Sequence, residues 1–104
     1  MDTENLSNET YKAVIVAAER FNHDLTLQFG CLASRCVDDD DYLLQAEELI
    51  NDWLEFEDFD ELMIDIFFGN PPSSKSIKKT LSKILLNINQ VRQIPIKERT
   101  FEFL

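Results

Sequence analysis

The sequence predicts an all-α protein: one compact domain over residues 1–104, built as a four-helix bundle with a C-terminal docked tail. Apolar residues recur at steps of three or four along most of the chain, which is the helical period. With two glycines and three prolines, the chain lacks the turn residues that a many-stranded β fold needs. The 44% hydrophobic content supplies a core that a chain of this length buries without disulfides or metal.

The first and longest predicted helix, helix A, begins at a cap formed by Ser7 or Asn8. Its apolar stripe continues for about seven turns and comprises Tyr11, Val14, Ala18, Phe21, Leu25, Phe29, Leu32 and Cys36. Val16 and Leu27 fall on the opposite side, so we expect helix A to pack on two sides, within the monomer or in an oligomer. Gly30 is the position where we expect helix A to bend or end early.

Residues 38–68 contain thirteen carboxylates and no lysine or arginine, interleaved with large apolar residues. The acidic run of residues 38–41 predicts a linker that caps helix B, which covers about residues 42–56. Asp58 and Glu61 have capping-box spacing and predict the start of helix C, which ends near Phe68 at Gly69. Helix C is apolar around most of its circumference, so we expect it to lie in the core or at an interface.

Helix D follows, with Ser73, Ser74 and Ser76 as candidate caps and Pro95 as its limit. Its predicted inner stripe comprises Ile77, Leu81, Ile84, Leu85, Ile88 and Val91. Most of the chain's bases lie on helix D and after it, so we expect its basic face to lie near the acidic helices B and C. The tail ends in Phe101, Phe103 and Leu104, which predicts packing on this chain or on a neighbour.

The net charge of −10 argues against direct binding to nucleic acid or to an anionic membrane, because like charges repel. No apolar run approaches the roughly 20 residues that span a bilayer, so we expect a soluble, cytoplasmic protein without a membrane segment. Cys31 and Cys36 match no redox or zinc spacing, which predicts two buried, reduced thiols; a surface disulfide is the alternative if the helix ends between them. Leu43 and Leu49 occupy the positions where an EF-hand loop from Asp38 needs glycine and glutamate. We therefore expect no metal and no cofactor.

Two arrangements of ionisable residues bear on catalysis. Glu48 with Asp52, and Glu61 with Asp65, form i,i+4 pairs on successive helices, and the set resembles the Mg²⁺-binding carboxylates of all-helical nucleoside-triphosphate pyrophosphohydrolases. Those enzymes use ExxE and ExxD pairs, with i,i+3 spacing. The His23-Asp24 pair resembles the HD dyad of metal-dependent phosphohydrolases, but the chain has a single histidine. There is no glycine-rich phosphate loop, and we expect the protein not to be an enzyme.

The predicted function is a non-catalytic interaction module that presents an acidic helical face to a basic partner protein, as inhibitors, immunity proteins and nucleic-acid mimics do. The predicted partner-binding carboxylates are Glu48, Asp52, Glu55, Glu57, Asp58, Asp60, Glu61 and Asp65. Trp53 and Phe56 are the predicted exposed aromatic anchors. The alternative is a homodimeric regulatory or scaffold protein joined through the Val16 and Leu27 side, helix C and the tail.

Overall fold

The computed structural model describes residues 6–101, which contain five helices and no strand. Helix α1 covers residues 8–21 as three contiguous segments: α-helical Asn8–Thr10, π-helical Tyr11–Val16 and α-helical Ala17–Phe21. The others are α2, His23–Ala33; α3, Asp39–Glu55; α4, Phe59–Ile66; and α5, Ser74–Arg92. A 3₁₀ turn, Ile96–Glu98, follows α5. The all-α class predicted from the sequence is confirmed.

The prediction of one long helix A is wrong, because the helix is interrupted at Asn22. Asn22 has extended backbone angles, φ −166° and ψ 141°. Its side-chain oxygen accepts a hydrogen bond from the backbone N–H of Asp24 at 2.7 Å, which starts α2 as a separate helix. The apolar stripe hides the break, since Leu25 and Phe29 beyond it are fully buried. The expectation for Gly30 is also wrong, because α2 continues through it.

The core lies between the inner faces of α1, α2, α3 and α5, with α4 closing one side. On α5, the predicted stripe is confirmed: Ile77, Leu81, Ile84, Ile88 and Val91 are buried and Leu85 is half-buried. The hydroxyl of Tyr42 on α3 donates to the backbone oxygen of Phe29 on α2 at 3.2 Å. The ring of Phe29 meets Trp53 edge to face, with centroids 5.9 Å apart. Aromatic packing thus joins α2 to α3.

Four helices begin at caps that the sequence predicts, the first being α1, where the Ser7 hydroxyl accepts from the backbone N–H of Thr10 at 3.1 Å. Asp38 accepts from the backbone N–H of Asp41 at 2.8 Å, at the start of α3. Asp58 and Ser73 do the same at the starts of α4 and α5, each from the N–H three residues on, at 3.2 Å. Helix α3 therefore starts slightly before the predicted position. Helix α4 ends at Ile66, two residues earlier than predicted.

A buried carboxylate, Asp39, joins both ends of the described chain to α3. Its Oδ1 accepts from the backbone N–H of Ser7 at 2.9 Å, and its Oδ2 pairs with the guanidinium of Arg99. The same guanidinium reaches Asp40 at 2.9 Å and donates from Nε to the backbone oxygen of Ile94 at 3.0 Å. Asp39 and Arg99 are 3% and 7% exposed. This ion pair is part of the fold.

The segment after Arg99 lies along the start of α1. The backbone N–H of Thr100 donates to the Glu9 carboxylate at 3.1 Å, and the Thr100 oxygen accepts from the N–H of Asn8. Phe101 is 40% exposed. Phe103 and Leu104, on which the predicted docking of the tail depends, lie outside the described residues, so that docking stays a prediction.

Both cysteines are free, but the prediction that both are buried is wrong. Cys31 is exposed and Cys36 is half-buried, with its thiol donating to the backbone oxygen of Leu32 at 3.3 Å. On the side of helix A that was expected to be covered, Val16 is half-buried and Leu27 is 42% exposed. Within residues 6–101 no helix has the length and apolar character needed to cross a bilayer.

Candidate functional site

The predicted partner-binding carboxylates lie on the second half of α3, on α4 and in the connection between them. On α3, Glu48, Asp52 and Glu55 recur at steps of four and three, which places them on one side of the helix. Glu61 and Asp65 have the same relation on α4. All eight of the predicted carboxylates are exposed. Their exposure follows from the inner faces of both helices being occupied by apolar residues.

Two of the eight carboxylates have local structural roles. Asp58 caps α4, as described above, and Asp60 accepts a hydrogen bond from the hydroxyl of Ser74 at the start of α5. The side chains of the other six make no ion pair or hydrogen bond with the residues that the structure describes. We call these six the acidic surface: Glu48, Asp52, Glu55, Glu57, Glu61 and Asp65.

The prediction that Trp53 is an exposed anchor is wrong. Trp53 is 7% exposed and packs against Phe29, so it is part of the core. Its spacing carried the signal, because Ala46, Ile50 and Trp53 follow one another at steps of four and three along the buried side of α3. Phe56, directly after α3, is 52% exposed, as the prediction requires.

Two exposed apolar residues that were not predicted as anchors lie beside the carboxylates of α4. Ile64 is 48% exposed and Phe68 is 73% exposed. Ile64 precedes Asp65 within α4, and Phe68 lies two residues after the last residue of the helix, so both are exposed near the end of α4. The other apolar residues of helix C fill the core: Phe59, Met63, Ile66 and Phe67 are buried and Leu62 is half-buried.

The backbone at the end of α4 has an unusual conformation. Phe68 has a φ of +54° and Gly69 a φ of +86°. The N–H of Gly69 donates to the backbone oxygen of Ile64 at 2.7 Å, which closes the helix. Glycine adopts positive φ freely, whereas a phenylalanine there is strained. The fold thus holds an exposed aromatic ring on a strained backbone, and strained backbone conformations are concentrated at functional sites.

Two basic residues of α5 contact α3 and α4. Arg92 pairs with Glu47 at 2.9 Å, and the Lys78 ammonium lies 4.8 Å from the centre of the Phe59 ring. Glu47 is not one of the predicted partner-binding residues. The expected proximity of helix D to helices B and C is therefore seen in these two contacts, while the acidic surface receives no cation from residues 6–101.

The four carboxylates considered for Mg²⁺ do not form a ligand set. Within residues 6–101, no three or more histidine, cysteine, aspartate or glutamate side chains are grouped so as to hold a metal ion. His23 is exposed at the first turn of α2.

Comparisons with models of protein families, with curated proteins and with solved structures found no match for this chain.

Proposed function

We propose that this protein is a non-catalytic, cytoplasmic interaction module whose acidic surface binds a basic partner protein. The observation that carries the proposal is the set of exposed carboxylates that have no partner in the described chain, in the same stretch as the exposed side chains of Phe56, Ile64 and Phe68. Inhibition of the partner, or occupation of its nucleic-acid site by mimicry, is the role that suits such a surface.

The two components of the surface contribute different parts of binding. A cluster of carboxylates attracts a basic partner protein over distances up to the Debye length, which raises the association rate. They contribute less to final affinity, because their desolvation opposes the attraction. Apolar side chains such as Phe56 and Phe68 supply affinity when they are buried against the partner. The strained backbone at Phe68 supports this role, because the fold keeps that ring exposed.

Capture of partners from lysate of the source organism, at about 50 mM and about 500 mM salt, tests the proposal. The bait is the wild type, the variant Glu61→Gln/Asp65→Asn, or the control Glu19→Gln/Glu98→Gln. The two variants lose the same charge from exposed positions, but only the first changes the acidic surface. A fourth bait, Phe68→Ala, removes an apolar anchor without changing the charge.

We expect a basic protein to be retained by the wild type and the control at low salt, and released at high salt. Glu61→Gln/Asp65→Asn should slow its association, and Phe68→Ala should speed its dissociation, when the isolated pair is studied by surface plasmon resonance. Equal weakening by both charge variants would show that net charge alone drives capture. Retention that is insensitive to salt and to all three variants would reject the acidic surface as the binding site.

A homodimer is the second candidate, favoured by the exposed Leu86 on α5. Leu86 is 57% exposed on the outer side of that helix, three positions from Lys83. A dimer joined through apolar surface should persist at high salt, whereas an acidic-to-basic complex should weaken. The molar mass of the purified chain by light scattering distinguishes them: a monomer at every salt concentration would reject the homodimer.

A further inference from the structure

A groove of about 280 Å³ between α1 and α5 is lined by three cations in a chain whose net charge is −10. Lys12 and Arg20 belong to α1 and Lys83 to α5. We call it the cationic groove. No carboxylate of the described part of the chain lines it. Within residues 6–101, none of the three cations makes an ion pair or a side-chain hydrogen bond.

The π-helical segment of α1 brings Lys12 and Arg20 to the same side. In an ideal α-helix, side chains eight positions apart differ by about 80° around the axis. A π turn uses more residues, since its hydrogen bonds close i to i+5, so each residue advances less around the axis. Residues 11–16 are π-helical and lie largely between the two cations, which lowers that angle. Lys12 and Arg20 therefore face one groove.

Helix α5 completes the groove and is fixed against α1. Thr80 and Lys83 are three positions apart on α5 and both line the groove. One turn further on, the side-chain amide of Asn87 donates to the backbone oxygen of Ala13 at 3.1 Å. That oxygen lies within the π-helical segment, so the hydrogen bond holds the two walls in register.

The lining combines several hydrogen-bond donors with one aromatic side chain. Lys12, Arg20 and Lys83 are cationic donors, and Thr80 adds a hydroxyl. Phe21, which is half-buried, also lines the groove. Clustered ammonium and guanidinium groups suit a phosphate, with arginine able to donate two parallel hydrogen bonds. An aromatic face suits a planar ring, which stacks on it.

We propose that the cationic groove binds a small phosphate-bearing ligand of the nucleoside monophosphate class. The phosphate lies among Lys12, Arg20 and Lys83, and the base packs against Phe21. At about 280 Å³, the groove lies just below the roughly 300 Å³ at which small-molecule pockets begin, so it accommodates only a small ligand. This site is separate from the acidic surface, and its ligand does not depend on the partner proposed above.

Titration of the full chain with adenosine monophosphate, inorganic phosphate or adenosine, followed by NMR amide shifts and calorimetry, tests the proposal. We expect the monophosphate to bind at least about ten-fold more tightly than either part alone, since both the cations and the ring contribute. Shifts should centre on residues 12–21 and 80–87. Lys83→Glu should weaken binding by about ten-fold or more, because it replaces an attraction by a repulsion.

The matched control is Lys75→Glu, which makes the same charge change at an exposed position of α5 outside the groove, eight residues and about 12 Å along the helix axis from Lys83. It should leave affinity within about two-fold of wild type. If circular dichroism shows that Lys83→Glu is unfolded, Arg20→Gln is used in its place, and the same loss of affinity is expected. Glu61→Gln/Asp65→Asn should not weaken the binding, which keeps this test apart from that of the acidic surface.

Three results would overturn the proposal. The first is no saturable binding of the monophosphate up to about 10 mM. The second is an equal loss of affinity for Lys75→Glu and Lys83→Glu, which would assign binding to the general electrostatic field of α5. The third is self-association of the wild type that Lys83→Glu abolishes, which would make the groove a contact for the acidic surface of a second copy.

Discussion

Two groups of carboxylates in this protein lie in opposite surroundings although they belong to the same acidic stretch. At the start of α3, Asp39 is buried and both of its oxygens are engaged, by Arg99 and by the N–H of Ser7. On the second half of α3 and on α4, the acidic surface is exposed and has no partner among the described residues. The first group holds the chain together, and the second is available to another molecule.

The energetics of the two groups differ for the same reason. Removing one partner from a buried ion pair leaves an uncompensated charge out of water and costs about 3–5 kcal/mol. An exposed charge is solvated whether or not a partner is present, and exposed pairs contribute about 0–1 kcal/mol. Asp39 is therefore expected to determine stability. The acidic surface is expected to influence stability little, and it can change without loss of the fold.

The largest effect is predicted for Arg99→Met, which leaves Asp39 buried without its cation. We expect the free energy of unfolding to fall by about 3 kcal/mol or more, measured by urea denaturation. The matched control, Lys97→Met, changes the same charge at an exposed position two residues earlier and should stay within about 0.5 kcal/mol of wild type.

A double variant distinguishes the effect of the lost ion pair from the effect of lost packing at Arg99. In Arg99→Met/Asp39→Asn both charges are removed, so much of the lost stability should return. Equal stability of Arg99→Met and Lys97→Met would contradict the distinction between the two groups of carboxylates. A double variant as unstable as Arg99→Met would attribute the loss to packing and not to the unpaired charge.

Local sequence patterns were sufficient to predict the all-α class of the fold and many of its helix caps and buried residues. The caps at Asp38, Asp58 and Ser73 could be predicted because each acts within three residues of the chain. The buried stripe of α5 could be predicted from its period alone. The spacing of Trp53 predicts a core position, and the error was to expect this aromatic residue to be an exposed anchor as well.

Other features depend on residues that are distant in sequence. Asp39 and Arg99 are 60 positions apart, and nothing in the acidic run marks Asp39 as the member that is buried. The break at Asn22 is local, but the uninterrupted apolar stripe on either side favoured a continuous helix. The cationic groove combines α1 with α5 and depends on a π-helical segment, which no period in the sequence indicated.

A smaller, pH-dependent effect is predicted for Tyr42, the buried phenol of α3. Burial raises the pKa of Tyr42 well above its ordinary value, and the neighbouring Cys36 raises it further when charged. The unfolded chain then loses this proton at a lower pH than the folded chain. The stability that the neutral phenol contributes is complete below about pH 10 and is lost progressively above it.

Tyr42→Phe tests this by removing the ionisable hydroxyl. At neutral pH the variant should be about 1 kcal/mol less stable, because the hydrogen bond to the backbone oxygen of Phe29 is lost. As the pH rises from about 8 to about 11, the difference in unfolding free energy between the two proteins should shrink. A difference that stays constant over this range would mean that Tyr42 ionises with equal ease in both states.

The smallest effect on stability is predicted for Glu61→Gln/Asp65→Asn on the acidic surface. These two side chains carry like charges four positions apart on α4, so neutralising them relieves a weak repulsion. We expect the free energy of unfolding to rise by about 0.5 kcal/mol or less at low salt, and the gain to vanish at high salt. Urea denaturation at both salt concentrations measures it. A loss above about 1 kcal/mol would show that these carboxylates stabilise the fold, and the distinction from Asp39 would then fail at α4.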